Sequence, residues 1–272
     1  SLSQHAEFLL EAAPAEFERV FLERVQREFR QLQRLRSKDQ GVRLGQAIAL
    51  LTASLVFRGL EASIAPSLAR GVALVDRMVL PDGGFAGRSP AALLQFLLDV
   101  VPLREALTAR RLAMPRELNA AIERAMVMLR FLTHGDHGLA VFQGVGDIAA
   151  RSVETLFARD AVLGRPLSHA SYSGYARLNH GASVVVVDGG EPSICDSRLA
   201  FEFSSGADRM VVSCGYPTAT TEDWRNAAAC AAAHSTLDIE GEEAVFPLGV
   251  PGWGRNRFGG SVACEVSSSP LG

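Results

Sequence analysis

Cysteine is scarce in this sequence, and so is net charge. The 272 residues contain four widely spaced cysteines and no Cys-x-x-Cys pair: Cys195, Cys214, Cys230 and Cys264. That spacing argues against a cysteine zinc site and provides no disulfide framework. A formal net charge of -3 offers no strongly basic face for nucleic acid. No apolar run approaches the roughly 20 residues that span a membrane. We therefore expect no nucleic-acid partner and no membrane span.

What remains is an ordinary globular composition, with 48% hydrophobic and 21% charged residues. The length suits one large domain or two smaller ones. The chain starts at Ser1 in helix-forming sequence and stops shortly after a strand-like run over residues 261–266. We therefore expect an internal piece of a longer protein, in which a missing signal peptide carries no information about compartment.

The first 130 or so residues have helical periodicity. It predicts helices over about 2–36 (broken at Pro14), 42–57, 66–78, a stretch beginning at Ser89-Pro90, and 115–130. Short connections between them are typical of antiparallel helix pairs. Arginines recur on the polar side of the first segment, between Arg24 and Arg36. They indicate a solvated basic face, with a polyanion-binding groove as the alternative.

The pattern changes near residue 135. Strands are predicted over residues 139–142, 152–157, 172–178 and 183–187, separated by glycine- and proline-bearing turns. Strands at such regular spacing with few intervening helices favour an antiparallel sandwich.

A last stretch, residues 199–240, predicts two strands joined by a turn, a short alanine-rich helix and a third strand opening on His234. Leu199, Phe201 and Phe203 alternate with Ala200 and Glu202, as in a strand with one buried face. In the third strand Leu237 and Ile239 would face a core, and His234 would begin the polar face. A histidine there could line a cleft or be solvated.

Five segments, in this order, resemble the bacterial heparinase II/III family: LPDGGFAGRSPAALLQFLLDVVPLREAL, MLRFLTHGDHGLAVFQG, SGYARL, LAFEFSSGADRMVVSCG and AAHSTLDIEG. The resemblance implies an α-then-β, multidomain fold. An incomplete α/α toroid would occupy residues 1–134, and an antiparallel β-sandwich, incomplete at its C-terminal end, would occupy residues 135–272.

The resemblance also implies a carbon–oxygen lyase that cleaves uronic-acid-containing polysaccharide by β-elimination, with an acidic polysaccharide as partner and the cell envelope or periplasm as location. Such a site must neutralise the carboxylate, stabilise an enolate-like intermediate, remove the C5 proton and protonate the departing oxygen. Two alternatives remain. One is a catalytically decayed relative that binds anionic polysaccharide, and the other is a cell-envelope scaffold protein without carbohydrate affinity.

Four residues are candidates for this site. His234, in AAHSTL, occupies the histidine position of a similar family strand, and with Tyr175 it is our candidate for proton transfer. Arg88 and His137 are candidates for substrate binding, since arginine can hold a carboxylate through a bidentate contact. The alternatives are a structural or solvated His234, a packing role for Tyr175, a surface arginine at a helix start, and interdomain hydrogen bonding around His137.

Several positions depart from the family pattern. Phe85 and Arg88 follow the Asp-Gly-Gly loop where the family often has histidine and then an acidic or polar residue. Cys195-Asp196-Ser197 stands where active members carry histidines, and Ser213 replaces a typical aspartate. We therefore expect no metal ligands and no cofactor, although the family includes members with a structural zinc.

Overall fold

The computed structural model describes residues 10–11, 13–146, 150–159, 167–216 and 221–236. The chain divides into two compact units. The helical unit comprises residues 1–79 and 96–122, and the sheet unit comprises residues 80–95 and 123–272. The domain limits 1–134 and 135–272 remain predictions for the protein as a whole.

Seven α-helices are present among the described residues. They are α1 (Ala15–Arg34), α2 (Gln40–Val56), α3 (Ile64–Met78), α4 (Pro90–Ala109), α5 (Arg116–Phe131), α6 (Ala150–Arg159) and α7 (Glu222–Ala229). The predicted helices between Pro14 and residue 130 and the short alanine-rich helix are therefore confirmed. The helical segment predicted before Pro14 lies largely outside the described residues. Within the described ranges, no helix has the length and apolar character needed to cross a bilayer.

Helix α2 forms the centre of the helical unit. Asp39 directly precedes the helix, and its carboxylate accepts a hydrogen bond from the Val42 N–H at 2.8 Å, the usual cap for an unsatisfied first-turn donor. The helix packs against both α1 and α3. Leu50 and Ala53 join Phe29 of α1 in one apolar cluster. Burial on several sides explains why its sequence is apolar almost throughout.

The sheet unit contains one antiparallel sheet of five strands in sequential order. They are β1 (His169–Ala170), β2 (Tyr175–His180), β3 (Ser183–Asp188), β4 (Ala200–Ser205) and β5 (Asp208–Val211). The antiparallel pairing of these strands is the arrangement predicted from the spacing of strand-like runs. Short turns join the strands except between β3 and β4, where residues 189–199 intervene.

Two predicted strands are wrong. Residues 152–157 lie within helix α6, where Val153 and Leu156 are buried three positions apart and the two residues between them are exposed. Burial at a spacing of three residues is typical of one face of a helix, whereas a strand would bury every second residue. Residues 139–142 form no ladder, and Leu139 alone makes an isolated bridge, to Thr133.

The strand predicted to open on His234 is not observed there. His234 follows a short 3-10 helix, Ala231–Ala233, and its N–H bonds to the Ala231 carbonyl at 2.9 Å. The rest of that predicted strand, residues 237–240, lies outside the described residues.

The buried face of the sheet is the polar one. The inner face carries the rows Tyr175–Asp188–Ala200 and Arg177–Val186–Glu202, given by the register of β2, β3 and β4. Ala200 and Glu202 are fully buried, whereas Phe201 between them is 41% exposed. The expected apolar side of β4 is therefore the more exposed side. This outer face also includes Leu178, Val185, Val187 and Phe203, none of which is buried.

Candidate functional site

The loop that precedes α4 is fixed to the start of the sheet by Asp82. One carboxylate oxygen accepts the Gly84 N–H at 2.9 Å. The other accepts three donors, the Tyr172 N–H (2.9 Å), the Ser173 N–H (2.7 Å) and the Ser173 hydroxyl (2.9 Å). Gly83 has φ +88°, and a Cβ at that position would lie 2.0 Å from the Arg124 carbonyl oxygen. Only glycine fits this turn.

Arg88 lies at the end of the same loop, and its side chain is 9% exposed. Its Nε donates to the Ser173 carbonyl at 2.8 Å. One terminal nitrogen donates to the Glu191 carbonyl, and the other forms an ion pair with Asp188. Its backbone has φ 55°, a conformation in which non-glycine residues are uncommon. The guanidinium that was predicted to bind substrate is thus engaged in contacts within the sheet unit.

Asp188, completely buried, is the centre of this arrangement. Besides Arg88, it accepts hydrogen bonds from the Gln143 amide at 2.8 Å and the Ser197 hydroxyl at 2.7 Å. Gln143 in turn accepts the Ser193 and Ile194 N–H groups, both at 3.0 Å. We call these residues the Asp188 network. A buried charge pair with satisfied hydrogen bonds is stable in place but costly to break.

Tyr175 packs beneath the Asp188 network. It is 1% exposed, its hydroxyl donates to the Arg88 carbonyl at 2.5 Å, and the Arg88 guanidinium lies 5.0 Å from its ring centre. Burial, assisted by the Asp188 charge, raises the pKa of Tyr175 well above its usual value of 10.0. The phenol therefore remains protonated at ordinary pH, and its contacts support the packing alternative.

A second buried network surrounds Glu202. Its carboxylate lies 3.1 Å from His134 Nε2, while His134 Nδ1 lies 2.8 Å from the Ser204 hydroxyl. The same carboxylate accepts the Val141 N–H at 3.0 Å and the Ser213 N–H at 3.2 Å. Sequence periodicity did not identify this site. The one sequence feature that points to this network is Glu202 itself, an acidic residue in the middle of an apolar strand.

His137 lies apart from these networks. It is exposed, with φ 62°, in the turn after His134. Neighbouring Asp136 binds Arg209, with 2.8 Å from Nε to one carboxylate oxygen. Of the four predicted site residues, the structure brings together Arg88 and Tyr175. Within the described part of the chain, neither His137 nor His234 forms a hydrogen bond with them.

His234 has a different environment. It is 9% exposed, and neither ring nitrogen has a hydrogen-bond partner among the described residues. Burial lowers the pKa of His234; the Asp188 carboxylate and then the Ala228 backbone act in the opposite direction. The result is a neutral imidazole with both nitrogens unpaired among those residues.

A structural zinc does not fit the described residues. Nowhere among them do three His, Cys, Asp or Glu side chains converge as metal ligands. Ser213, at the position of the expected aspartate, has a buried hydroxyl without a described partner. Burial raises the pKa of Cys195 to about 11, which disfavours the thiolate form that binds metal.

Helices followed by a sequentially ordered antiparallel sheet define a fold found in solved polysaccharide lyases. A crystal structure of heparinase III superimposes with a TM-score of 0.72 and 15% identity, over 89% of this chain and 46% of that one. Heparan sulfate lyase HepC from Pedobacter heparinus gives a TM-score of 0.60 and 18% identity, over 90% of this chain and 45% of that one.

Sequence comparison gives a family match for part of the chain. Residues 163–267 match the family described as "Heparinase II/III-like, C-terminal". The FtsZ-localized protein C of Caulobacter vibrioides (strain NA1000 / CB15N) is 35% identical over 182 residues, covering 64% of this chain and 32% of that protein. Residues 163–267 thus resemble the C-terminal part of the heparinase II/III family, which is the resemblance that the motifs predicted. The chain spans about a third of the length of that curated relative.

Proposed function

We propose that the protein acts on a uronic-acid-containing polysaccharide by β-elimination, with His234 as a proton-transfer group. The observation that carries this proposal is the buried, neutral imidazole of His234, whose two nitrogens have no partner among the described residues. A general base must be deprotonated at the working pH and free to accept a proton. The family match of residues 163–267 and the shared fold support the choice of reaction class.

In this proposal Arg88 and Tyr175 shape the site rather than contact substrate. Their donors are used within the Asp188 network, so the loop after Asp82 is held rigidly against the sheet. His137 is exposed and remains our candidate for contact with the polymer. We propose that no metal takes part, because the described residues offer no ligand set.

The experiment uses the full chain and a panel of uronate polymers. Lyase action produces an unsaturated uronate, which is detected by its ultraviolet absorbance. We expect His234→Ala to lower the rate about 10²–10⁴-fold, the usual contribution of a positioned acid or base. His180→Ala, at the exposed end of β2, is the matched control and should keep the wild-type rate. An unchanged rate in His234→Ala contradicts the assignment.

A second candidate is a protein that binds anionic polysaccharide in the cell envelope, or serves there as a scaffold, without cleaving it. The engagement of Arg88 and Tyr175 within the protein favours it, because two of the four candidate residues are then withdrawn from chemistry. A relative named for localisation with FtsZ is compatible with an envelope role. Glycan pull-down without unsaturated product indicates the binding protein, and neither signal indicates the scaffold. Cell fractionation tests the envelope or periplasmic location.

We further propose that the sheet is one layer of a sandwich and that the helices belong to an α/α toroid. The outer face of the sheet supports the first part, since it is apolar yet not buried, and such faces are usually covered. Cysteine labelling of the full chain tests it. Val187→Cys should react slowly with a maleimide, and Tyr172→Cys, at a position 65% exposed, should react fast. Equal rates contradict a second layer.

A further inference from the structure

Three buried polar atoms of the sheet unit have no hydrogen-bond partner among the described residues. They are the Ser213 hydroxyl oxygen and both ring nitrogens of His234. Ser213 is 5% exposed and His234 is 9% exposed. Buried polar groups in native proteins are almost always hydrogen-bonded, to protein or to ordered water. An unpaired cluster of this kind therefore indicates a missing partner.

The backbone places Ser213 opposite His234. The Cys214 N–H donates to the Ala233 carbonyl at 2.9 Å, and the Ser235 hydroxyl donates to the Val212 carbonyl at 2.9 Å. Residue 212 thus contacts residue 235, and residue 214 contacts residue 233. The segments 212–214 and 233–235 therefore run antiparallel. Ser213 and His234 are the facing pair between these contacts, and both are buried while Val212 and Cys214 are exposed.

The neighbouring carboxylates do not supply the missing hydrogen bonds. Asp188 and Glu202, which influence His234 electrostatically together with Asp196, accept their bonds from other groups. Asp188 is held by Arg88, Gln143 and Ser197. Glu202 is held by the Val141 and Ser213 N–H groups and lies against His134. Neither carboxylate is therefore the partner of the Ser213 and His234 side chains.

We propose that Ser213 and His234 bind one ordered water molecule between them, and that Ser213 thereby positions the His234 ring. A neutral imidazole presents one donor and one acceptor nitrogen, and a hydroxyl can do both. A water molecule can both donate and accept hydrogen bonds, so it matches the imidazole and the hydroxyl. Buried waters commonly bridge polar groups that otherwise have no partner. Through this bridge the Ser213 hydroxyl fixes which ring nitrogen carries the proton. The positioning role rests on the proposed function of His234, whereas the water site does not.

The first test is structural. A high-resolution crystal structure of the full chain, with metal analysis of the same sample, should show a water within hydrogen-bond distance of the Ser213 oxygen and a ring nitrogen of His234. Ser213→Ala should lose the water, and Ser213→Thr should keep it. A bound metal ion, an empty space, or a side chain of this protein making these bonds overturns the proposal.

The second test follows the ring itself. Nitrogen NMR of labelled histidine should report one dominant His234 tautomer in the wild type and in Ser213→Thr. In Ser213→Ala the tautomer ratio should change by a factor of about three or more, since tautomer preference follows the hydrogen bond that the ring makes. Ser54→Ala removes another buried hydroxyl, one bonded to the Leu50 carbonyl, and should leave the His234 signals unchanged. Identical signals in the wild type and Ser213→Ala overturn the positioning role.

Kinetics separates this proposal from the proposed function. If the protein is a lyase, Ser213→Ala should lower kcat about tenfold at unchanged KM, the pattern of a group that acts on the transition state, and Ser213→Thr should restore it. An unchanged kcat in Ser213→Ala overturns the positioning role while His234-dependent lyase action stands. A protein inactive on every polymer, with the water in place, refutes the proposed function and leaves the water site supported.

Discussion

The two units bury different kinds of side chain. Among the described residues, the buried polar side chains of the helical unit are uncharged: Gln46, Thr52, Ser54 and Ser67. The sheet unit buries arginines, carboxylates and histidines, namely Arg88, Arg177, Asp188, Asp196, Glu202, His134 and His234. One unit is therefore stabilised by apolar packing, and the other depends also on charge pairs and hydrogen-bond networks that must be complete.

The difference also concerns distance along the chain. The apolar faces of the helices repeat within a few residues, whereas the ion pair of Arg88 and Asp188 joins positions 100 residues apart. Gln143 bonds to loop residues about 50 positions later, at 3.0 Å from the Ser193 N–H. The networks of the sheet unit form only when several distant segments have met. A single lost partner there should cost more than a lost apolar contact of similar size.

Removing the central carboxylate tests this most strongly. Asp188→Ala leaves the buried Arg88 guanidinium without its counter-charge, and we expect a loss of about 3–5 kcal/mol in the free energy of unfolding. Urea unfolding followed by circular dichroism measures it. Asp208→Ala, on an exposed position of β5, should change stability by less than about 0.5 kcal/mol. If the two variants behave alike, the Asp188 network is not a source of stability.

The corresponding change in the helical unit is Leu51→Ala. Leu51 is 2% exposed and lines a small apolar cavity with Ala47 and Val75. Truncation should cost about 2–4 kcal/mol through lost burial and an enlarged cavity, again by urea unfolding. Leu112→Ala, at a position 38% exposed, is the control and should cost under about 1 kcal/mol. A larger loss for Leu51→Ala than for Asp188→Ala would reverse the comparison between the units.

The same contrast explains what could be predicted from sequence. The helix predicted over residues 42–57, and observed over Gln40–Val56, follows from a local apolar pattern. The hairpin of β4 and β5 follows from its turn. The strand predicted over residues 152–157 failed because a short apolar run fits a helix and a strand equally well. Only the structure shows that these residues bury one face of a helix.

The candidate site was less predictable, because its contacts are not local. Phe201 and Phe203 suggested a buried apolar face for β4, yet the fold buries Glu202, which meets His134 68 positions earlier. From sequence, Arg88 is a candidate to bind a substrate carboxylate, because nothing local indicates its ion pair with the distant Asp188. His234 was identified by resemblance to a family motif, and its unpaired nitrogens by the structure alone.

Tyr175→Phe tests the packing role of the tyrosine, with a smaller effect. The change removes the hydrogen bond to the Arg88 carbonyl and keeps the ring against Phe142, 6.0 Å away between centroids. We expect a loss of about 1 kcal/mol in the free energy of unfolding, typical of one hydrogen bond. Tyr172→Phe, at an exposed position, should have no measurable effect. If the protein proves to be a lyase, Tyr175→Phe should keep its rate, and a hundredfold loss would instead assign Tyr175 to catalysis.

The smallest expected effect is a pH dependence of stability from His234. Because burial lowers the pKa of His234 from 6.5 in the folded protein, the unfolded chain binds its proton first as the pH falls. The stabilising contribution is complete above pH 6.5, declines below it, and levels off once the pH is beneath the folded pKa. His234→Gln should remove this component, so the stability difference between variant and wild type should change between pH 7.5 and pH 5. His180→Gln, with an exposed ring, should show a constant difference over that range. A constant difference for His234→Gln as well would mean that the ring is not held neutral by burial, and the base assigned in the proposed function would lose its physical support.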